Sequence, residues 1–241
     1  LKKTWPFGDP KTDIAALARL YGFPQWLAVR LIKDLGATDA VALMKASNEQ
    51  APLFIAVNKA KASDQEIVAL FADCGITAQP QTIDGVEIPG CYFISNSKIL
   101  LDGRISHALA QGKILVSDVA AQRVAMLALP EEKPAAFLEI GAGRGTKTIL
   151  LQSNAQRKYG SQMKHYTLDN HEFKARVLRE RAEKYGIEVA DALTLDATEM
   201  TAEDFPETFD AVFIDAPCSG LGTLRRHPEI RWRLNERGIE N

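Results

Sequence analysis

Apolar residues change their period twice along this chain. Between residues 12 and 45 they recur at helical spacing. In "DIAALARLYG", Ile14, Leu17 and Leu20 share one face and Gly22 supplies the stop. "PQWLAVRLIKDLG" starts with Pro24 in a first turn, ends at Gly36, and is expected to bury Trp26, Val29 and Ile32. From residue 51 the period shortens. "LFIAVN" reads as a strand, "SDQEIVALFADCG" as a helix with Ser63 as N-cap and Glu66 three residues on, and "CYFIS" as a second strand. From residue 113 strands and helices alternate: "KILVSD", the helix "VAAQRVAMLAL", the strand "AAFLEI", the helix "GTKTILLQSNAQ" and the strand "HYTLD". A helix over about 170–185 follows, then the strands "ALTLD" and "DAVFID". On that helix Glu172 with Arg176, and Glu180 with Lys184, have i,i+4 spacing, which predicts a mainly structural, ion-paired surface. Three parts are expected: a helical segment 1–50, a small α/β module 51–112, and a domain over 113–241. Apolar strands separated by helices give that last part a parallel sheet covered on both faces, with ligands at the carboxyl ends of its strands.

Composition narrows this picture only a little. The chain has 241 residues, 46% hydrophobic and 25% charged, as in ordinary globular protein. A net charge of -2 excludes a polycation, so contact with nucleic acid has to come from local patches. Cys74, Cys91 and Cys218 lie far apart without a CxxC pair, which argues against a zinc knuckle or a disulfide framework. Reduced thiols in a cytoplasmic protein are the simple expectation, with Cys74 and Cys91 buried as structural residues. No apolar run approaches the ~20 residues of a membrane helix, and no signal peptide is visible. His107, His165, His171 and His227 lack metal-ligand spacing, so neither a metal nor a membrane partner is expected. The chain opens on Leu1 rather than Met, which suggests that this is not its native start.

The candidate chemistry lies at the strand ends. "EIGAGRGTKT" places Gly141, Gly143 and Gly145 in a tight turn after Glu139. Thr146 stands where a P-loop needs its second glycine, and the GxGxG spacing fits the GxGxxG dinucleotide loop poorly. An acidic residue before GxGxG suits an S-adenosylmethionine loop, with a plain glycine turn as the alternative. The next strand ends at Asp169, placed for two ribose hydroxyls, and the third at Asp196, placed for an adenine amino group. Either aspartate alone also fits a helix cap or turn. The fourth strand runs into "DAPCSG". A thiol at Cys218 suits covalent activation of a pyrimidine, whose carbon 5 becomes nucleophilic once a thiolate adds to carbon 6. A core cysteine is the alternative. "RRHPEIRWR" then sets Arg225, Arg226, Arg231 and Arg233 around Trp232, a phosphate grip or a solvated face.

Together, "DAPCSGLGTLRRHPEIRW", "PQWLAVRLIKDLG", "PLFIAVNKAKASDQEIVALF" and "GKILVSDVAAQRVAMLAL" resemble the Nop/Sun-type RNA cytosine-5 methyltransferases, above all the bacterial ones acting on small-subunit ribosomal RNA. The resemblance implies a Rossmann-like class I methyltransferase domain, preceded by a helical segment and a small RNA-contacting α/β module. It implies S-adenosylmethionine as cofactor and RNA as partner. The cofactor would be held by Glu139, Gly141, Ala142, Gly143, Gly145, Lys147, Thr148, Asp169, Asp196, Asp215 and Pro217. Asp215 and Cys218 would act in catalysis, and Arg225, Arg226, Arg231 and Arg233 on RNA. The chain departs from the family pattern at Arg144, at Gly143 and at Ser117, where a glutamine is usual. The family's attacking thiol lies in a threonine-cysteine motif further on, and Cys218 is implied to help release the product. Only 26 residues follow Asp215 and Cys218 is the sole cysteine among them, so the sheet is expected to be incomplete and the chain a fragment. Two rivals stay open: a binding protein without chemistry, and an enzyme in which Cys218 itself attacks.

Overall fold

A computed structural model describes residues 8–236. They fall into two compact units. One comprises the residues up to Ala51 with the stretch from Cys218 onward, and the other is Pro52–Pro217.

The first unit is helical: α1 (Ile14–Tyr21), α2 (Gln25–Leu35) and α3 (Ala37–Ala46). Asp13 caps α1 by accepting from the Ala15 amide at 2.8 Å, and Gly22 closes it in the left-handed conformation. Ala18, Phe23, Leu27, Ala28 and Met44 form its core together with Leu224, and Leu221 and Ile230 pack against it. The expected buried faces are therefore displaced. Ile14, Leu20 and Val29 are exposed, while Ala16, Ala18, Leu27 and Ala28 are buried. Small alanines bring the helices close, so the contact stripe runs through them. Ile14, Leu17 and Leu20 instead line an open groove of about 700 Å³ with Ile32 and Val41.

The second unit holds two sheets. The first is built from β1 (Leu53–Val57), α4 (Asp64–Asp73), β2 (Ala78–Ile83), β3 (Val86–Ile94), α5 (Gly103–Ala110) and β4 (Ile114–Val116). Its order is β2-β3-β1-β4, antiparallel throughout, which with the β-α-β-β-α-β chain order is a ferredoxin-like arrangement. Two sequence expectations change here. The "KILVSD" strand pairs antiparallel with β1 and so belongs to this sheet, not to the parallel one. A hairpin partner, β2, was also missed: it is polar, exposed and interrupted by Pro80, so no alternation marks it. Its turn, missed with it, is Asp84-Gly85, where both residues take the positive φ (52° and 77°) of a two-residue hairpin loop.

The second sheet follows α6 (Val119–Leu127). It contains β5 (Phe137–Ile140), α7 (Thr146–Tyr159), β6 (His165–Asp169), α8 (Glu172–Tyr185), β7 (Asp191–Thr194) and β8 (Ala211–Ile214), ordered β7-β6-β5-β8 and all parallel. This is the Rossmann-like arrangement expected of the sequence.

Helix α7 lies in the core that both sheets share. Ile149, Leu150, Leu151 and Ala155 pack with Phe137 and with Ala56 and Leu115 of the first sheet. Its buried polar residues are all bonded. Gln152 donates to the carbonyls of Met163 and Glu188 and accepts from the Met163 amide. Ser153 donates to the Val57 carbonyl and accepts from the Lys59 amide. Arg157 grips both carboxylate oxygens of Asp64, and Asn58 donates to the carbonyls of Gly112 and Tyr185. These bonds join the two sheets into one unit.

Candidate functional site

The parallel ladder fixes where the candidate residues meet. Ile140 pairs with Leu168 and with Ile214, and Asp169 with Thr194, so these strands end at one crest. Gly141, Asp169, Asp196 and Asp215 stand on it.

Glycine is required at the first loop position. Gly141 has φ +78°, and a Cβ there would meet the Asp215 carbonyl oxygen at 2.3 Å. Gly143 donates its amide to Asp169 Oδ2 at 3.1 Å. Gly145 opens α7 in the left-handed conformation, with no side-chain cap, so the first-turn amides of Thr146, Lys147 and Thr148 form a positive pole.

Asp169 is buried to 7% exposure and well held. Besides Gly143 it accepts from the His171 amide at 3.1 Å, and Lys174 Nζ lies 3.0 Å from Oδ1. Asp196 is exposed and accepts from the amide and hydroxyl of Thr198, both at Oδ1 (2.9 and 2.8 Å). Those donors hold its carboxyl below the usual range. Its local geometry is that of a turn, and Oδ2 accepts no bond among the described residues. Asp215 Oδ2 lies 2.5 Å from Lys147 Nζ. Pro217 is exposed, and Ala142 is buried beneath the loop.

Glu139 sits lower, fully buried in β5. It accepts from Thr148 Oγ1 at 2.7 Å, and His165 Nε2 lies 3.1 Å away, out of line for a hydrogen bond. Its carboxylate therefore holds the first turn of α7 from behind the loop. His165 is a core residue, edge-on to Phe137 at 5.1 Å.

Cys218 belongs to the helical unit and is exposed; Cys91 is fully buried and Cys74 only half-buried, less than the sequence suggested. Arg231 corrects the reading of the arginine run. It is 3% exposed, donates to the carbonyls of Tyr21 and Gly22 and to Asn48 Oδ1 (3.3, 3.3 and 2.9 Å), and lies 4.1 Å from the centre of the Phe23 ring. Such a guanidinium is a staple and is not offered to phosphate. Burial lowers its pKa. Arg225 is exposed and pairs with Glu49 at 3.2 Å, Arg226 is half-buried, and Arg233 and Trp232 are exposed.

The ion pairs expected along α8 do not form among the described residues. Arg176 lies over Phe173 instead, and Arg179 donates to the Ala192 carbonyl. Sequence reasoning missed Lys174 as the partner of Asp169. Its place in the first turn of the helix after that strand was the available signal.

Two family models match the chain. One, described as 16S rRNA methyltransferase RsmB/F, covers residues 124–241. The other, the ferredoxin-like domain of RsmF/B-like methyltransferases, covers residues 23–90. Among curated relatives, the ribosomal RNA small subunit methyltransferase B of Xanthomonas campestris is 32% identical over 89% of this chain and 46% of its own length. The probable methyltransferase B of Synechocystis is 27% identical over 90% of this chain and 46% of its own length. The chain thus spans about half the length of the relatives it matches. Among solved structures, that of PH0851 is 24% identical with a TM-score of 0.77, covering 97% of this chain and 50% of that one. NSun6 from Pyrococcus horikoshii is 15% identical with a TM-score of 0.61, over 83% of this chain and 72% of that one. These two likenesses support the fold alone. The family membership rests instead on the two family models, which together match most of the chain, and on the curated relatives: the chain belongs to the RsmB/F methyltransferase family.

Proposed function

We propose that this chain carries the cofactor-binding part of an enzyme that transfers a methyl group from S-adenosylmethionine to carbon 5 of a cytidine in structured RNA, ribosomal RNA by analogy with its relatives. The observation that carries the reading is the convergence, on one sheet crest, of a Cβ-intolerant glycine loop, the uncapped start of α7, and three carboxylates at successive strand ends.

These residues suit the cofactor's parts. First-turn amides of α7 would take its carboxylate, Asp169 its ribose hydroxyls, and Asp196 its adenine amino group. Glu139 would act through Thr148 rather than by contact. When bound, S-adenosylmethionine supplies an electrophilic methyl on a sulfonium. Lys147 would restrain the Asp215 carboxylate between cofactor and base. A thiolate that adds to carbon 6 makes carbon 5 nucleophilic; after methylation a base takes the carbon 5 proton, the ring double bond re-forms, and the C6–S bond breaks to release the thiolate. Cys218, three residues beyond Asp215, is the thiol this chain brings to that cycle. Arg225, Arg226, Arg233 and Trp232 would contact RNA, with binding that weakens as salt rises.

Trapping tests the thiol chemistry. RNA containing 5-fluorocytidine is incubated with the protein and S-adenosylmethionine, and the attached peptide is mapped. An adduct at Cys218 makes it the attacking thiol; an adduct at another cysteine of a longer chain makes Cys218 the releasing one. Methylation of ordinary RNA with no thiol adduct on the fluorinated one would rule out the thiol mechanism.

A further inference from the structure

The glycine loop is gripped from outside by α8. Arg181 Nη1 donates to the Arg144 carbonyl at 2.9 Å and to Thr146 Oγ1 at 3.0 Å. Leu178 fills the space beside Gly145, where a Cβ would come within 2.9 Å of its Cγ. The Arg144 guanidinium reaches back over the ring of Phe173 at 5.7 Å. Three α8 residues, spaced over two turns, thus touch the three consecutive loop positions 144–146. The same helix sends Lys174 to Asp169, which in turn accepts from Gly143.

This grip answers a physical need. Three glycines within five residues give the loop backbone more conformational freedom than side-chain-bearing residues would, and that freedom has to be removed before a ligand is bound. Asp169 fixes the loop at Gly143. Among the described residues, the side-chain hydrogen bonds on 144–146 come from Arg181. We infer that Arg181 is a positioning residue for the glycine loop, setting the path by which the chain enters α7 and thereby the site's affinity for the cofactor. The inference rests on the cofactor reading above.

Two readouts separate it from that reading. In the ligand-free protein, amide hydrogen exchange at 143–147 should quicken in Arg181→Ala while β5 and β6 keep their protection. Calorimetry with S-adenosylhomocysteine should show binding weakened by about tenfold, the scale of a lost charged hydrogen bond. Arg181→Lys should recover part of both effects, and Glu180→Ala, one position away and exposed, should change neither. Unchanged loop exchange in Arg181→Ala overturns the inference, as does protection lost equally across β5 and β6. If the wild-type chain binds no S-adenosylhomocysteine, the cofactor reading falls, and the exchange measurement alone decides the role of Arg181.

Discussion

Lys147 Nζ stands 2.5 Å from Asp215 Oδ2, linking the first turn of α7 to the residue that follows β8. Both side chains are partly exposed, at 25% and 40%, so water screens the pair and its worth to folding is small, about 0–1 kcal/mol. Its value lies in holding a carboxylate at the crest. Lys147→Ala should leave the thermal midpoint nearly unchanged and weaken cofactor binding by about tenfold, read by calorimetry. A large loss of stability with intact binding would contradict this role.

The loop glycines should differ in tolerance. Gly141→Ala combines a positive φ with a Cβ 2.3 Å from the Asp215 carbonyl, so β5 and β8 must part to admit it. Gly143→Ala has φ +58° but open space, with the nearest atom at 3.9 Å. The second change should cost about 1 kcal/mol of left-handed strain, and the first several times more. Denaturant unfolding of the two variants checks the order.

Removing Arg231 should unsettle the helical unit. Arg231→Ala leaves the Gly22 carbonyl and the Asn48 amide oxygen without their buried donor, leaves the Tyr21 carbonyl with Asn48 Nδ2 alone, and strips the cation from the Phe23 ring. The expected loss is roughly 1–3 kcal/mol, the cost of leaving acceptors without their donor. Arg225→Ala, whose partner Glu49 is exposed, should change stability little and lower the salt dependence of RNA binding instead. Comparing the two variants by unfolding and by filter binding at two salt concentrations tests the division of the arginine run.

The thiols should react in order of exposure. Cys218 is exposed and should be alkylated first in the native protein. Cys91 is fully buried, and burial pushes its thiol up to about 12. A folded pKa above the unfolded value of 9.0 means that the fold holds the neutral thiol. Its contribution is complete below about pH 9 and is lost as pH rises toward 12. Mass spectrometry after a short iodoacetamide pulse at pH 8 should find Cys218 modified and Cys91 untouched.

Much of this was legible from local pattern. The alternation of strand and helix and the four strand-end motifs were readable because each strand of the parallel sheet is a short run closed by glycine or aspartate. What escaped depends on partners distant in sequence. Arg231 looks like its neighbours in "RRHPEIRWR", and only the Phe23 ring and the α1 carbonyls, some 210 positions earlier, make it a buried staple. Ile14 and Leu20 have a core period, yet alanines decide where the helices touch. On α8, charge spacing suggested ion pairs, yet Arg176 lies over the neighbouring Phe173 ring, and Arg179 and Arg181 reach the Ala192 and Arg144 carbonyls, contacts that no i,i+4 pattern shows. Pro80 and the polar run around it hid β2, and with it the turn at Asp84 and Gly85.

The central claim is that the crest residues bind S-adenosylmethionine. Calorimetry of the wild-type chain and of Asp169→Asn with S-adenosylhomocysteine tests it most directly. The substitution keeps the shape but removes the charge paired with Lys174 and weakens the acceptor proposed for the ribose hydroxyls. One-to-one binding by the wild type, weakened by tenfold or more in the variant, is the predicted result. No binding by the wild type, or equal binding by both, would contradict it.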